Sequence, residues 1–309
     1  MSTAAASAVA ALRSSDRWDV VPLTVELDGS WLDAQGRTIG VAEAIMVLQG
    51  CDVALPLLHG PRGEDGAMAG LLDFAGVRYA GSAVGAGAIA MDKWVTKLVA
   101  REIGLAVAPG VLLTARTAGE FRWSEPVVVK PVASGSSLGV TLVDSPARIR
   151  PAIEEALRFD NRVLVEHAVR GREVDVAVLG RADGSRIAAP PLEIISAGIF
   201  DYEAKYGGTA EFRVPAPVDE VQRKALDAAA VDIYDALGCR GVARVDFFLT
   251  PAGLVLNEVN TAPGFTAQSQ APQMFAAGGI AYPELLAILL DDALAGLSAT
   301  ERKPVGTER

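Results

Sequence analysis

The tightest constraint in the chain is the stretch Arg244 to Phe265, RVDFFLTPAGLVLNEVNTAPGF. Two strand-like runs, Gly241 to Leu249 and Leu254 to Asn260, flank Pro251-Ala252-Gly253, which suits a three-residue hairpin loop with its glycine in the left-handed region. That turn sets a register in which Asp246 faces Glu258 and Arg244 faces Asn260. Because side chains alternate along strands, all four share one face. The opposite face, with Val245, Phe247 and Leu249, is apolar enough to cover a core. Opposed carboxylates repel, so the pairing calls for a cation between them. A hard divalent ion suits two carboxylates and an amide oxygen. Mg²⁺ held this way completes its octahedron with water and substrate phosphates, which points to a nucleotide. The competing reading is a solvated polar strand face.

Length and charge narrow the options. At 309 residues the chain has room for two or three domains. Lys and Arg number 28 against 38 Asp and Glu, a net charge of −10 that argues against nucleic-acid or anionic-membrane partners. Any phosphate site is therefore a local basic pocket. Cys51 and Cys239 stand alone, with no CxxC, which fits a reducing cytosol. His59 and His167 are the only histidines, which excludes a multi-histidine metal centre. The opening MSTAAASAVAALRSSDRW reads as a small-residue helix and not as a leader. The longest apolar run, Leu285 to Leu297, is interrupted by Asp291 and Asp292 and falls short of a membrane span. The expectation is a soluble, cytoplasmic protein.

In chain order, Ala4 to Leu12 reads as a helix, Asp19 to Val25 as a strand and Val41 to Leu48 as a helix. Asp52 to Leu58 reads as a buried parallel strand. It runs into the Gly-rich loop His59-Gly-Pro-Arg-Gly-Glu64-Asp-Gly66, which opens a helix from Ala67 to Phe74, the usual ligand position in an open α/β sheet. The helix Asp92 to Ile103 carries Lys93 and Lys97 one turn apart, by spacing two surface lysines, and Gly104 closes it. Next come Pro126-Val-Val-Val-Lys130-Pro131, the small-residue loop Ser134-Gly-Ser136-Ser137-Leu-Gly139, and a strand, Val140 to Val143. Such a loop can lay backbone N–H groups and hydroxyls over phosphates, although it is not a Walker A loop, which would enter a helix. Ile199 to Gly208 reads as a mobile loop exposing Lys205 and Tyr206. Val218 to Leu237 and Ala281 to Leu297 read as helices, and Gly264 in Thr261 to Thr266 permits close approach to a ligand.

Seven stretches in this order, LHGPRGEDG, MDKWVTK, VVVKPVASGSSLGV, VEHAVRGREVDV, DYEAKY, CRGVARVDFFL and NEVNTAPGFTAQS, resemble the D-alanine–D-alanine ligase family of the ATP-grasp superfamily. They span Leu58 to Ser269. The resemblance implies an α/β fold of three subdomains: a Rossmann-like one over residues 1–85, a central ATP-grasp one over 86–170 and a C-terminal one over 171–309. It implies an ADP-forming ligase that makes D-alanyl-D-alanine for peptidoglycan through an acyl phosphate, with D-alanine and ATP as substrates, and a homodimer. It places Lys93 and Lys130 on ATP phosphates, Glu166 and the Ala168-Val169 backbone at adenine, and Glu173 at ribose. Asp246, Glu258 and Asn260 would carry two Mg²⁺ ions, with Mn²⁺ as an alternative. Ser136, Ser137, Lys205 and Tyr206 would close over the site. His59 and Glu64 would line the substrate end, Ser269 and Gln270 the acceptor. Arg244 and the Gly264 N–H would meet the oxyanion.

Two departures accompany the resemblance. Family members begin with a strand, a Gly-rich turn and a Ser-x-Glu-His-x-Val-Ser run whose Glu orients the first substrate. Here Met1-Ser2-Thr3 stands where that run ends, so the first strand and that Glu are missing and Met1 reads as a misassigned start. Gln270 stands where many relatives carry Leu or Met. These departures keep two alternatives open: an amide ligase with another acceptor, and a nucleotide-binding relative with impaired catalysis. Tyr206 favours dipeptide over depsipeptide formation.

Overall fold

The computed structural model describes residues 3–26, 28–135, 137–195 and 211–295. In its hairpin, Gly241–Thr250 pairs antiparallel with Gly253–Asn260, Arg244 faces Asn260 and Asp246 faces Glu258, as the side chains demand. The turn that achieves this differs from the expected one. Thr250 pairs with Gly253, so the loop is Pro251-Ala252 alone, and the register shifts between Asp246 and Phe247. Without that shift Asn257 would lie opposite Asp246. A bulge at Asn257 absorbs the extra residue and returns Glu258 to that place. The core side shows the same slip: Leu254 and Leu256 are two apart, Val259 follows three later, and all three pack into one cluster.

The C-terminal sheet is antiparallel throughout. Its strands run in the order Glu211–Arg213, Leu192–Ile195, Arg172–Gly180, Gly241–Thr250, Gly253–Asn260, with Arg186–Ala188 paired to the end of Arg172–Gly180. Both faces are covered, which accounts for the near-continuous apolar run Val176-Ala-Val-Leu179. Val174, Val176, Val245 and Phe247 pack under the helix Glu220–Ala236, whose first turn is closed by a capping box between Asp219 and Gln222. Ala177, Leu179 and Val242 pack under the helices Gln270–Ala277 and Tyr282–Ala295, with Ala8 and Leu12 of the helix Thr3–Arg13.

The central sheet has four antiparallel strands, ordered Gly110–Thr114, Arg162–His167, Val127–Pro131, Thr141–Val143, with the helix Ile149–Ala156 packed against it. Two helices that precede it in sequence, Val84–Met91 and Lys93–Glu102, join the core of the C-terminal sheet instead, through Ala86, Ala90 and Ala100. Residues 110–167 are thus an excursion from that core. The chain leaves and returns side by side: Gly110 pairs with Glu166, and the His167 N–H donates to the Pro109 carbonyl at 2.9 Å.

Two strand expectations in the N-terminal segment are corrected. The run Asp19 to Val25 is strand only at Thr24–Val25, in a small antiparallel sheet with Trp31–Leu32 and Thr38–Ile39. Asp52 to Leu58 is half-buried and makes a single parallel bridge, Ala54 with Tyr79. Its apolar side chains find cover without a ladder, because Val53, Leu55 and Leu57 pack against the helical face of the C-terminal sheet. No single helix among the described residues is long and apolar enough to cross a membrane.

Candidate active site

A cleft of about 730 Å³ opens between the central and C-terminal sheets. Val128, Lys130 and Leu142 wall it on the central side; Leu256, Asn257 and Glu258 wall it on the other. Its size and mixed lining suit a small-molecule ligand held by a few placed polar groups. Lys93, Ser137, Glu166, Ala168, Val169, Glu173 and Asn260 all line it, so the structure brings together most of the residues expected from sequence. Ser136, Lys205 and Tyr206 lie outside the described residues.

The cationic half rests on a buried triad. Glu166 sits between two ammonium groups, 2.7 Å from Lys97 Nζ and 2.5 Å from Lys130 Nζ. Burial alone would raise the Glu166 pKa, but Lys130 and Lys97 overcome it and hold the group below the ordinary carboxylate value. Glu166 therefore turns its carboxylate to the lysines while lining the cleft expected for adenine. The Ala168 N–H donates to the Pro126 carbonyl at 3.0 Å, which fixes this backbone at the wall of the cleft. Lys130 also reaches Asn257 Oδ1 at 3.4 Å. Lys93 donates to the Ser134 carbonyl at 2.8 Å and lies 3.5 Å from Glu258. It opens its helix directly after Asp92, which caps the Val95 N–H and pairs with Arg162. Two aligned lysines at the mouth of a small-residue loop form the local basic pocket that an acidic chain needs for phosphate.

Lys97 corrects the surface reading of its spacing, since it is 1% exposed. Burial, then repulsion from Lys130, lowers its pKa from 10.5 to about 8 against the pull of Glu166. A lysine with a folded pKa below its unfolded value weighs against folding while charged. That penalty is relieved as pH climbs from about 8 toward 10.5, so its contribution to stability rises across that window. The ligand site moves the other way. Once Lys97 loses its proton, Glu166 draws on Lys130 alone. The KM for ATP is therefore expected to rise as pH passes about 8 and to stay flat, at a raised value, in Lys97→Met. Nucleotide titrations across that range check this; a flat KM in the unmodified protein removes the coupling.

The acidic half is a row across three strands. Asp175 faces Asp246, and Asp246 faces Glu258. Part of the cation required by the sequence argument comes from the protein itself. Arg244 donates from Nε to Asp246 Oδ1 and from Nη2 to Oδ2, each at 2.7 Å, and lies 3.4 Å from Asp175. Burial opposes the charge on Arg244, but Asp246 more than compensates and raises its pKa further. Three acids against Arg244 and Lys93 still leave a negative balance. Asn260 directs Nδ2 to Asp246 at 3.0 Å, so its oxygen is the end that remains for a cation. Among the described residues no three His, Cys, Asp or Glu side chains gather as a closed metal centre. An incomplete oxygen set of two carboxylates and an amide is nonetheless what Mg²⁺ takes when phosphates supply the rest.

The far end of the cleft meets the Gly-rich loop. Glu64 Oε1 accepts the Gly60 N–H at 2.7 Å and lies 4.0 Å from His59, whose Nδ1 is 2.9 Å from the Ala262 carbonyl. Burial raises the Glu64 pKa, against the Gly60 hydrogen bond. Gly264 lies in the loop below. There an added Cβ would sit 3.2 Å from the hydroxyl of Ser269, which accepts the Thr266 N–H at 3.0 Å. Sequence reasoning missed Lys97, Asp175 and Asn257. Each had a signal: a lysine on the face of Ala100, an acid inside an otherwise apolar strand, and the one-residue slip in the apolar pattern around Asn257.

Comparison with known proteins agrees with the geometry. Residues 102–291 match the family model described as D-ala D-ala ligase C-terminus, and residues 33–82 match the one for the N-terminus. The chain is 46% identical over 252 residues to the D-alanine--D-alanine ligase of Corynebacterium urealyticum, covering 78% of this chain and 70% of that one. It is 40% identical to the D-alanine--D-alanine ligase of Mycolicibacterium vanbaalenii, with 94% and 92% covered. Among solved structures it superimposes on the VanG D-Ala:D-Ser ligase of Enterococcus faecalis with a TM-score of 0.83 at 32% identity, covering 94% of each chain. It superimposes on the Bacillus anthracis D-alanine--D-alanine ligase complexed with ATP with a TM-score of 0.76 at 25% identity, covering 95% and 94%.

Proposed function

The chain belongs to the D-alanine–D-alanine ligase family, and from that membership we propose that it joins two molecules of D-alanine at the expense of ATP, through an acyl phosphate. The observation that carries the reading is that Lys93 and Lys130 line one cleft between two sheets, Lys93 3.5 Å from Glu258 and Lys130 3.4 Å from the neighbouring Asn257. The product, D-alanyl-D-alanine, serves peptidoglycan precursor synthesis. The unpaired Cys51 and Cys239 fit a cytoplasmic location. A homodimer belongs to the same reading and is checked by sedimentation.

In this mechanism Lys93 and Lys130 hold the phosphates together with Ser137; Ser136, Lys205 and Tyr206, which the resemblance assigns to the same task, lie outside the described residues. Glu173 takes the ribose, with the Ala168-Val169 backbone at adenine. Asp246, Glu258 and Asn260 would hold Mg²⁺, which supplies charge neutralisation between phosphate oxygens when bound. The carboxylate of the first D-alanine, at the His59 and Glu64 end, attacks the γ-phosphorus and releases ADP; positioning does most of the catalysis here. The amine of the second D-alanine, near Ser269 and Gln270, then attacks the acyl carbon. The tetrahedral oxygen meets Arg244 and the Gly264 N–H before phosphate leaves. Exclusion of water by the closing loops protects the acyl phosphate from hydrolysis.

The test is ADP release with D-alanine, D-serine and D-lactate, with products read by mass spectrometry. Dipeptide from D-alanine supports the proposal, and ATP left intact with D-alanine defeats it. Preference for D-serine would favour the second reading, an altered acceptor, which the polar Gln270 and the likeness to a D-Ala:D-Ser ligase motivate.

A further inference from the structure

Asp175 has no place in the assignments above, and the contacts around it converge on Arg244. It is fully buried in the strand Arg172–Gly180, cross-strand from Asp246. Gln270, the first residue of the helix that covers this sheet face, joins the two charges: its Nε2 donates to Asp175 Oδ2 at 3.2 Å and its Oε1 accepts from Arg244 Nη1 at 2.6 Å. The opposite charges at its two ends fix which way round the amide lies. Asp246 grips one edge of the guanidinium through Nε and Nη2, and Gln270 grips the next corner. One N–H on each terminal nitrogen is left for an incoming oxygen.

We infer that Asp175 and Gln270 are positioning residues, a carboxylate–amide strut that fixes the plane of the Arg244 guanidinium. Asp246 alone pins a single edge, about which a guanidinium can rock. The Asp175–Gln270 pair supplies the second anchor from a different element, and its own anchor is buried and rigid. An arginine aimed at charge that develops during reaction gains by being held before the charge appears. The inference rests on the reading of Arg244 as the group that meets the reacting oxygen.

The experiment is a reversal of the Asp175–Gln270 hydrogen bond in the full chain, read by turnover and by NMR of ¹⁵N-arginine-labelled protein. Gln270→Leu is expected to lower kcat about tenfold while the KM for ATP stays within about twofold. Gln270→Glu alone sets a carboxylate against Asp175 and is expected to lose more. Combining it with Asp175→Asn reverses the hydrogen bond, with the amide on the strand and the carboxylate on the helix. The pair is expected to recover about tenfold over Gln270→Glu, which a merely space-filling side chain would not do. The Arg244 Nε–H is expected to exchange slowly in the unmodified protein, fast in Gln270→Leu and slowly again in the double variant. Full turnover in Gln270→Leu, a double variant no better than Gln270→Glu, or an Nε–H signal indifferent to all three overturns the strut. If the unmodified protein consumes no ATP with any acceptor, the reading of the site fails, and the exchange rates alone still decide the strut.

Discussion

Arg244→Met is expected to cut dipeptide formation by about 10²–10³-fold, the loss seen when one donor to a developing oxyanion is removed. It is also expected to destabilise the protein. The guanidinium lies between Asp246, at 2.7 Å through two nitrogens, and Asp175, at 3.4 Å, both in the sheet interior. Removing it leaves two buried carboxylates facing each other across adjacent strands, a cost of about 3–5 kcal/mol. Arg244→Lys separates the two effects. It restores charge without the planar fork, so thermal stability is expected to recover in part while turnover stays low. ADP release and thermal unfolding on the same preparations check this. Lys restoring both equally would mean that only the charge matters.

Glu166→Gln is expected to have a comparable effect by the opposite route. One carboxylate is the shared partner of Lys97 and Lys130, which are 1% and 6% exposed. An amide there leaves two ammonium groups buried side by side. The expected cost is about 3–5 kcal/mol, with the KM for ATP raised at least about tenfold as Lys130 moves away from its partner. Adding Lys97→Met to Glu166→Gln removes one of the two charges, so the double variant is expected to unfold at a higher temperature than Glu166→Gln alone. A double variant less stable than both singles would show that Lys97 serves the fold in some way other than through Glu166.

How much of this was legible in the residues depended on range. The face shared by Arg244, Asp246, Glu258 and Asn260 was readable because it needs only strand alternation and a turn. The turn is harder to read: a three-residue loop and a two-residue loop with a bulge give the same register at Asp246, and only the slip from Leu256 to Val259 tells them apart. Lys97 reads from spacing as a surface residue, since spacing along a helix does not reveal which neighbour lies across it. Its partner Glu166 is distant in sequence, on a strand of the other sheet. Asp52 to Leu58 misled in the same way. An apolar run signals burial, and here helices, not flanking strands, provide it. The ligand cleft was legible as an ordered set of short motifs, whereas the links between them, through Asp175, Gln270 and Asn257, are tertiary and had to be seen.

Because the stretch between Gly110 and His167 departs and rejoins at adjacent points, it is a cassette nested within its host, not a bead on a string. Its ends already meet, so lengthening its outer loops adds little closure entropy to the surrounding body. A protease nick in that cassette would leave intact the apolar contacts that unite Ala86, Ala90 and Ala100 with Val174 and Val245. The host would outlast its insert, although the insert carries the Val128, Lys130 and Leu142 wall of the cleft.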